Sequence, residues 1–192
     1  MNRNNLIMFL TSLLLFLSCS TVPLTGRKSL NLIPAGEMLS MSYQQYGDFL
    51  KTNPLSTNQE QTAMVKRVGG KIQNAVERYF AEKGLAGQLK DYRWEVNLVE
   101  SKDVNAWCMP GGKIVVYTGI LPVTQTEAGL AVVMGHEVAH AVAEHGNERM
   151  SQGLLAQLGA AGLSVALQNK PAETKNLWMQ AYSVGAQYGA LL

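Results

Sequence analysis

The chain has 192 residues, of which 47% are hydrophobic, 16% charged and 7% aromatic, with a formal net charge of +2 at pH 7. That length supports one domain with its own core, and the balance of apolar to charged residues excludes a natively disordered chain. A charge so near zero leaves no electrostatic footprint for nucleic acid, and two cysteines, Cys19 and Cys108, make no disulfide framework.

The N-terminus reads as a targeting segment. Arg3 precedes an apolar run over residues 6–17, about a dozen residues and too short to span a bilayer. Ser18 and Cys19 follow directly. A small residue and then a cysteine behind an apolar run resembles a bacterial lipoprotein cleavage site, which implies lipidation of Cys19 as the mature N-terminus. An ordinary signal peptide and an uncleaved anchor are the alternatives. Residues 1–18 are thus expected to be a signal peptide, residues 19–34 a linker broken by Pro23 and Gly26, and residues 35–192 the folded domain.

Residues 35–50 carry a helical pattern that Asn53-Pro54 breaks. Thr57 and Glu60 have the spacing of a capping box, and a long helix is expected to follow to about Lys83, with Val65, Val68, Ile72, Val76 and Phe80 on its apolar face. Gly69-Gly70 is a weak spot in it, and Gly84 and Gly87 stop it. Residues 92–99 alternate, with Trp94, Val96 and Leu98 on one face and Arg93, Glu95 and Asn97 on the other, the signature of a half-buried strand. Residues 105–109 and 113–118 predict two more strands around a Pro110-Gly111-Gly112 turn. Thr124 and Glu127 predict a second capping box, opening a helix to about Met150. The apolar stretch 153–167 is too short for a membrane span and reads as a buried hairpin helix, and Pro171 separates it from a last helix over residues 172–192. The fold class is α+β: mostly helical, with a small antiparallel three-stranded sheet.

The chemistry sits in Gly135-His136-Glu137-Val138-Ala139-His140, an H-E-x-x-H within the apolar run 130–142. Residues four apart on a helix lie about 40° apart around its axis and one turn apart along it, so both imidazoles reach one metal ion. Glu137 sits about 100° round from His136, where it can take a proton from an attacking water. Two metal ligands and a general base are the parts of a zinc hydrolase, although a buried helix can also carry two histidines without a metal. A catalytic zinc needs a third protein ligand. On an unbroken helix His145 lies about 140° round from His140 and faces away. Glu144 is expected beside the site or on a solvated face, and Glu173 in the first turn of the last helix, stabilising its dipole. Cys108, alone in an apolar strand, reads as packing.

Three segments together carry a resemblance. The H-E-x-x-H, the stretch Asn-Ala-Trp-Cys-Met-Pro-Gly-Gly-Lys-Ile over residues 105–114 leading to Tyr117-Thr118-Gly119-Ile120-Leu121, and Val22-Pro23-Leu24-Thr25-Gly26-Arg27 resemble the soluble lipoprotein branch of the HtpX-like and CAAX prenyl endopeptidase family. The resemblance implies a zincin-like fold, Zn2+ as cofactor, and a gluzincin endopeptidase acting on protein or peptide substrates, often in envelope quality control. On that resemblance His136 and His140 are metal ligands and Glu137 is the catalytic base. The strand carrying Asn105, Ala106 and Trp107, or its partner strand, is expected to align substrate backbone by strand addition. Family members carry a glutamate ligand in an E-x-x-x-D motif on a later helix. That motif is missing here, so the chain is expected to be cut short and poorly active. Two functions therefore compete: a zinc endopeptidase lipid-anchored in the bacterial envelope, facing the periplasm, and a non-catalytic envelope lipoprotein with a vestigial site.

Overall fold

A computed structural model of the chain describes residues 19–22 and 26–189. The expected signal peptide, and Pro23, Leu24 and Thr25 of the 22–27 motif, lie outside the described residues. In chain order the elements are β1 (Cys19–Thr21), β2 (Lys28–Leu30), α1 (Ala35–Thr52), α2 (Gln59–Glu82), β3 (Glu95–Val99), β4 (Ala106–Met109), β5 (Lys113–Tyr117), α3 (Leu121–Thr124), α4 (Glu127–Val142), α5 (His145–Ala166) and α6 (Ala172–Gly189). Two compact units result, one built chiefly from residues 34–146 and the other from residues 28–33 and 147 onward.

In the first unit a three-stranded sheet in the order β3-β5-β4 lies between helices. The sheet is mixed rather than antiparallel: β4 pairs antiparallel to β5, but β3 runs parallel to it. Pro110-Gly111-Gly112 closes a tight hairpin between β4 and β5, with Gly112 N–H donating to Met109 O at 3.3 Å. Strand directions alternate along the chain, so placing β5 between β3 and β4 leaves β3 parallel to its neighbour. The glycines of that turn are obligatory. Gly111 and Gly112 have φ of 85° and 80°, and a Cβ on either would press into the ring of Tyr43 or Trp94.

The main core gathers one stripe from each element. Val65, Val68 and Phe80 of α2 meet Leu98 of β3, Ala106 of β4, Ile114 and Val116 of β5, and Leu130, Met134, Val138 and Val142 of α4. The four α4 residues recur every fourth position, which makes them one face of the helix, and each buried side chain of this size contributes about 1.5–3 kcal/mol. Gly69, expected as a weak spot, is the contact point where α2 crosses the sheet. A Cβ there would lie 2.6 Å from Val96 Cγ2 and 3.3 Å from Met134 Cε.

The opposite face of the sheet is also covered. Tyr46, Val99 and Val115 form a second cluster with Phe49, Leu50, Trp107, Met109 and Tyr117. The alternation along β3 therefore separates two packed faces rather than core from solvent. Asn97 is buried and its amide donates to Tyr46 Oη at 2.9 Å, and Lys113 Nζ bonds Glu95 at 2.9 Å.

Both capping boxes shift by one or two residues. Asn58, not Thr57, caps α2, its side chain accepting from Gln61 N–H at 3.0 Å. Thr126, not Thr124, caps α4, accepting from Gly129 N–H at 3.0 Å. Glu127 is then free to pair with Arg67, and with Lys71 at 3.4 Å, both on α2. The stop of α2 follows expectation: Gly84 adopts φ 70° and Leu85 N–H reaches back to Phe80 O at 2.7 Å, a left-handed helix cap.

In the second unit the segment read as a linker forms the β1–β2 ribbon. Its exit is tied to α5, with Leu32 N–H donating to Ser151 Oγ and Asn147 Nδ2 to Ile33 O, both at 2.8 Å. Helices α5 and α6 form the expected hairpin, where Tyr182 O–H donates to Ala156 O at 2.9 Å. It is not buried among the described residues: Leu158, Val165, Leu177 and Trp178 are each more than half exposed. No described helix is long and apolar enough to cross a membrane.

Candidate metal centre

The buried stripe of α4 fixes where its polar residues point. His136 and His140 lie about 200° round from Val138 in either direction, so packing Val138 into the core turns both imidazoles outward. Their Nε2 atoms converge to 2.9 Å, with the rings perpendicular. Two nitrogens bound to one tetrahedral zinc at 2.0–2.1 Å stand about 3.3 Å apart, so a small ring rotation seats both on one ion. The pair fits two of the positions around such a metal. Among the described residues no group of three His, Cys, Asp or Glu side chains surrounds one point.

Helix α4 ends sooner than expected. Its last bond of α-helical spacing is Ala143 N–H to Ala139 O at 2.9 Å; Glu144 N–H then reaches Ala141 O at 3.2 Å, and Glu144 takes a left-handed φ of 58°. A non-glycine residue there costs about 1–2 kcal/mol. The break ends one helix and begins α5 at His145, so the helical arithmetic that turned His145 away does not apply. Instead His145 Nδ1 stands 2.5 Å from His140 Nδ1. His145 is still no ligand for an ion between His136 and His140, because it meets the nitrogen on the other side of the His140 ring. The left-handed position is a glutamate rather than Gly or Asn, with Gly146 and Asn147 only beyond it, so nothing at that position signals the His140–His145 contact in the sequence. Glu144 is half-buried at the break rather than a turn further along α4, and Glu173 lies exposed in the first turn of α6, as expected.

Glu137, next in sequence to His136, is half-buried on α4. Strand β4 runs alongside α4, and the Glu137 carboxylate acts on Cys108: burial first, and then that charge, push the thiol up to about 12. Cys108 is thus a neutral, packed thiol at the edge of the main core, as its isolation in sequence implied. Tyr92 is also pushed above its ordinary range, by burial first and then by Cys108 and Glu144.

β4 is an edge strand. Tyr117 N–H donates to Asn105 O at 3.1 Å, which fixes the phase of the ladder. Asn105, Trp107 and Met109 turn their backbone groups toward β5, and Ala106 and Cys108 turn theirs to the open edge. The Trp107 side chain lies on the far face of the sheet, edge-on to Phe49 at 4.9 Å, while Asn105 is exposed at the strand's start.

A model of peptidase family M48 matches residues 66–192, more than half of the chain and a range that includes His136, Glu137 and His140. The chain belongs to peptidase family M48. Among curated relatives of this family member, the mitochondrial metalloendopeptidase OMA1 of Schizosaccharomyces pombe is 31% identical over 133 residues, 68% of this chain and 36% of that protein. The Arabidopsis thaliana protein of the same name is 48% identical over 66 residues, 34% of this chain and 14% of its own length. Metalloendopeptidase OMA1, mitochondrial, of Homo sapiens is 28% identical over 130 residues, 66% of this chain and 24% of that protein. The chain spans 36% or less of the length of these curated relatives.

Proposed function

We propose that this protein is a zinc metalloendopeptidase of the bacterial cell envelope, hydrolysing peptide bonds in misfolded or unassembled proteins. The observation that carries the reading is the convergence of His136 and His140 Nε2 to 2.9 Å on the helix that also carries Glu137. Membership of peptidase family M48 and the metalloendopeptidase relatives support it. His136 and His140 hold the metal. Zinc at that point supplies polarisation of the scissile carbonyl and a lowered pKa for water. Glu137 takes the proton of the attacking water and returns it to the leaving amine. Substrate backbone pairs with the open edge of β4 at Ala106 and Cys108, next to Asn105, while Trp107 braces the strand from behind. Residues 1–18 direct export, Cys19 carries the lipid that holds the protein on the outer or inner membrane facing the periplasm, and the peptidase domain begins near residue 35.

One observation favours a second reading, a binding or chaperone-like envelope lipoprotein with a vestigial site. The described residues bring no third acidic, histidine or cysteine ligand to the pair. Cleavage of unfolded casein separates the two. On the peptidase reading the zinc-loaded protein cleaves, slowly with only two protein ligands on the metal, chelator stops it, and Glu137→Gln lowers the rate by about 100-fold or more while keeping zinc. Equal cleavage by Glu137→Gln would overturn the peptidase mechanism, and zinc binding with no cleavage would establish the second reading.

A further inference from the structure

The centre holds a third imidazole that the two-ligand arrangement does not use. His140 turns Nε2 toward His136 at 2.9 Å and Nδ1 toward His145 at 2.5 Å. In a neutral imidazole one nitrogen carries a proton and the other offers a lone pair. A metal takes the lone pair, so His140 can serve as a ligand through Nε2 only with its proton on Nδ1. We propose that His145 is a positioning residue for the metal centre: its Nδ1 accepts the Nδ1–H of His140 and holds that ring in the tautomer and orientation that present Nε2 to zinc.

The two contacts are compatible with either tautomer of His140, and ligation of a metal through Nε2 selects one direction for the proton chain. His140 Nδ1–H donates to His145 Nδ1, His145 keeps its own proton on Nε2, and His140 Nε2 is left as the acceptor facing His136. The two rings lie 4.8 Å apart and tilted by 59°, so the contact is a hydrogen bond between edges rather than a stack. Ligand histidines ordinarily donate their second N–H to a carboxylate, a backbone carbonyl or water. Here the His145 ring takes that place, and the chain accepts a left-handed Glu144 to bring it there. On an unbroken helix His145 would lie about 140° round from His140, out of reach. The left-handed residue and the second imidazole are therefore parts of one device.

The inference rests on the reading of His136 and His140 as zinc ligands, and its test has a readout that needs no metal. Long-range proton–nitrogen NMR of the metal-free, 15N-labelled protein should show His140 protonated on Nδ1. His145→Leu keeps the bulk and removes the acceptor, and should leave His140 a mixture of tautomers. His145→Gln supplies an amide oxygen in its place and should restore the Nδ1–H form. Zinc affinity, read by competition with a chromophoric chelator, should fall about 10- to 100-fold in His145→Leu and recover largely in His145→Gln. A wild-type His140 protonated on Nε2 overturns the inference whatever the variants do. So does an unchanged affinity in His145→Leu, or an equal loss in both variants, which would indicate packing alone. Failure of the underlying reading looks different: His136→Ala would then leave zinc affinity unchanged.

Discussion

Gly69 and Gly70 are neighbours in the middle of α2, and the structure predicts that alanine acts oppositely at the two. Either substitution relieves the entropic cost of glycine in a helix interior, a gain of about 0.8–1.0 kcal/mol. At Gly70 nothing lies within 4 Å of the added Cβ, so the gain stands alone. At Gly69 the new atom would sit 2.6 Å and 3.1 Å from the two methyl carbons of Val96, and 3.3 Å from Met134 Cε. Optimal carbon contacts are about 3.5–4.0 Å, so the gap must open by roughly 1 Å against a β-branched side chain fixed in the sheet. Overpacking of that kind costs about 1–3 kcal/mol, more than the helical gain. With about 2–4 °C of melting temperature per kcal/mol for a chain of this size, G70A should melt a few degrees above wild type and G69A below it. Thermal unfolding followed by circular dichroism reads both. A G69A protein melting at or above G70A would refute the packing of α2 against β3 and α4 that holds the H-E-x-x-H helix in place.

Helix capping gives a second contrast. Asn58→Ala should lower stability by about 1 kcal/mol, and Thr57→Ala should leave denaturant midpoints almost unmoved; the reverse order would place the cap where the sequence first suggested. Cys108, with its thiol pushed up to about 12, should react with iodoacetamide at pH 8 roughly a thousand-fold more slowly than an exposed cysteine, and unfolding in denaturant should restore the rate. Labelling of the native protein at the free-thiol rate would contradict that burial. Mass spectrometry of the mature N-terminus should find a diacylated Cys19, and Cys19→Ala should leave the membrane fraction; a variant that stays there with its lipid label intact would exclude the anchor.

What was legible in the sequence was local. His136, Glu137 and His140 are set by helical spacing within one turn, and the core faces of α2 and β3 follow from periods visible in single segments. The placement of β5 between β3 and β4 was not, because it depends on contacts between segments distant along the chain. The covered polar face of β3 was hidden for the same reason: Asn97 looks solvated until Tyr46 arrives from α1. The caps slipped because Thr57 and Asn58, or Thr124 and Thr126, are all competent cap residues, and only the packed helix selects one. The hairpin of α5 and α6 looked buried because apolar composition records a tendency to be covered, not what covers it. The break at Glu144, which brings His145 to His140, has no residue in the sequence that demands it.

The central claim is that His136 and His140 together hold one zinc ion beside Glu137. X-ray absorption and metal analysis of the purified protein should show one zinc per chain, with two histidine nitrogens at about 2.0–2.1 Å. His136→Ala and His140→Ala should each lose the metal, and Glu137→Gln should keep it. Full zinc occupancy in a His136→Ala/His140→Ala double variant would contradict the account.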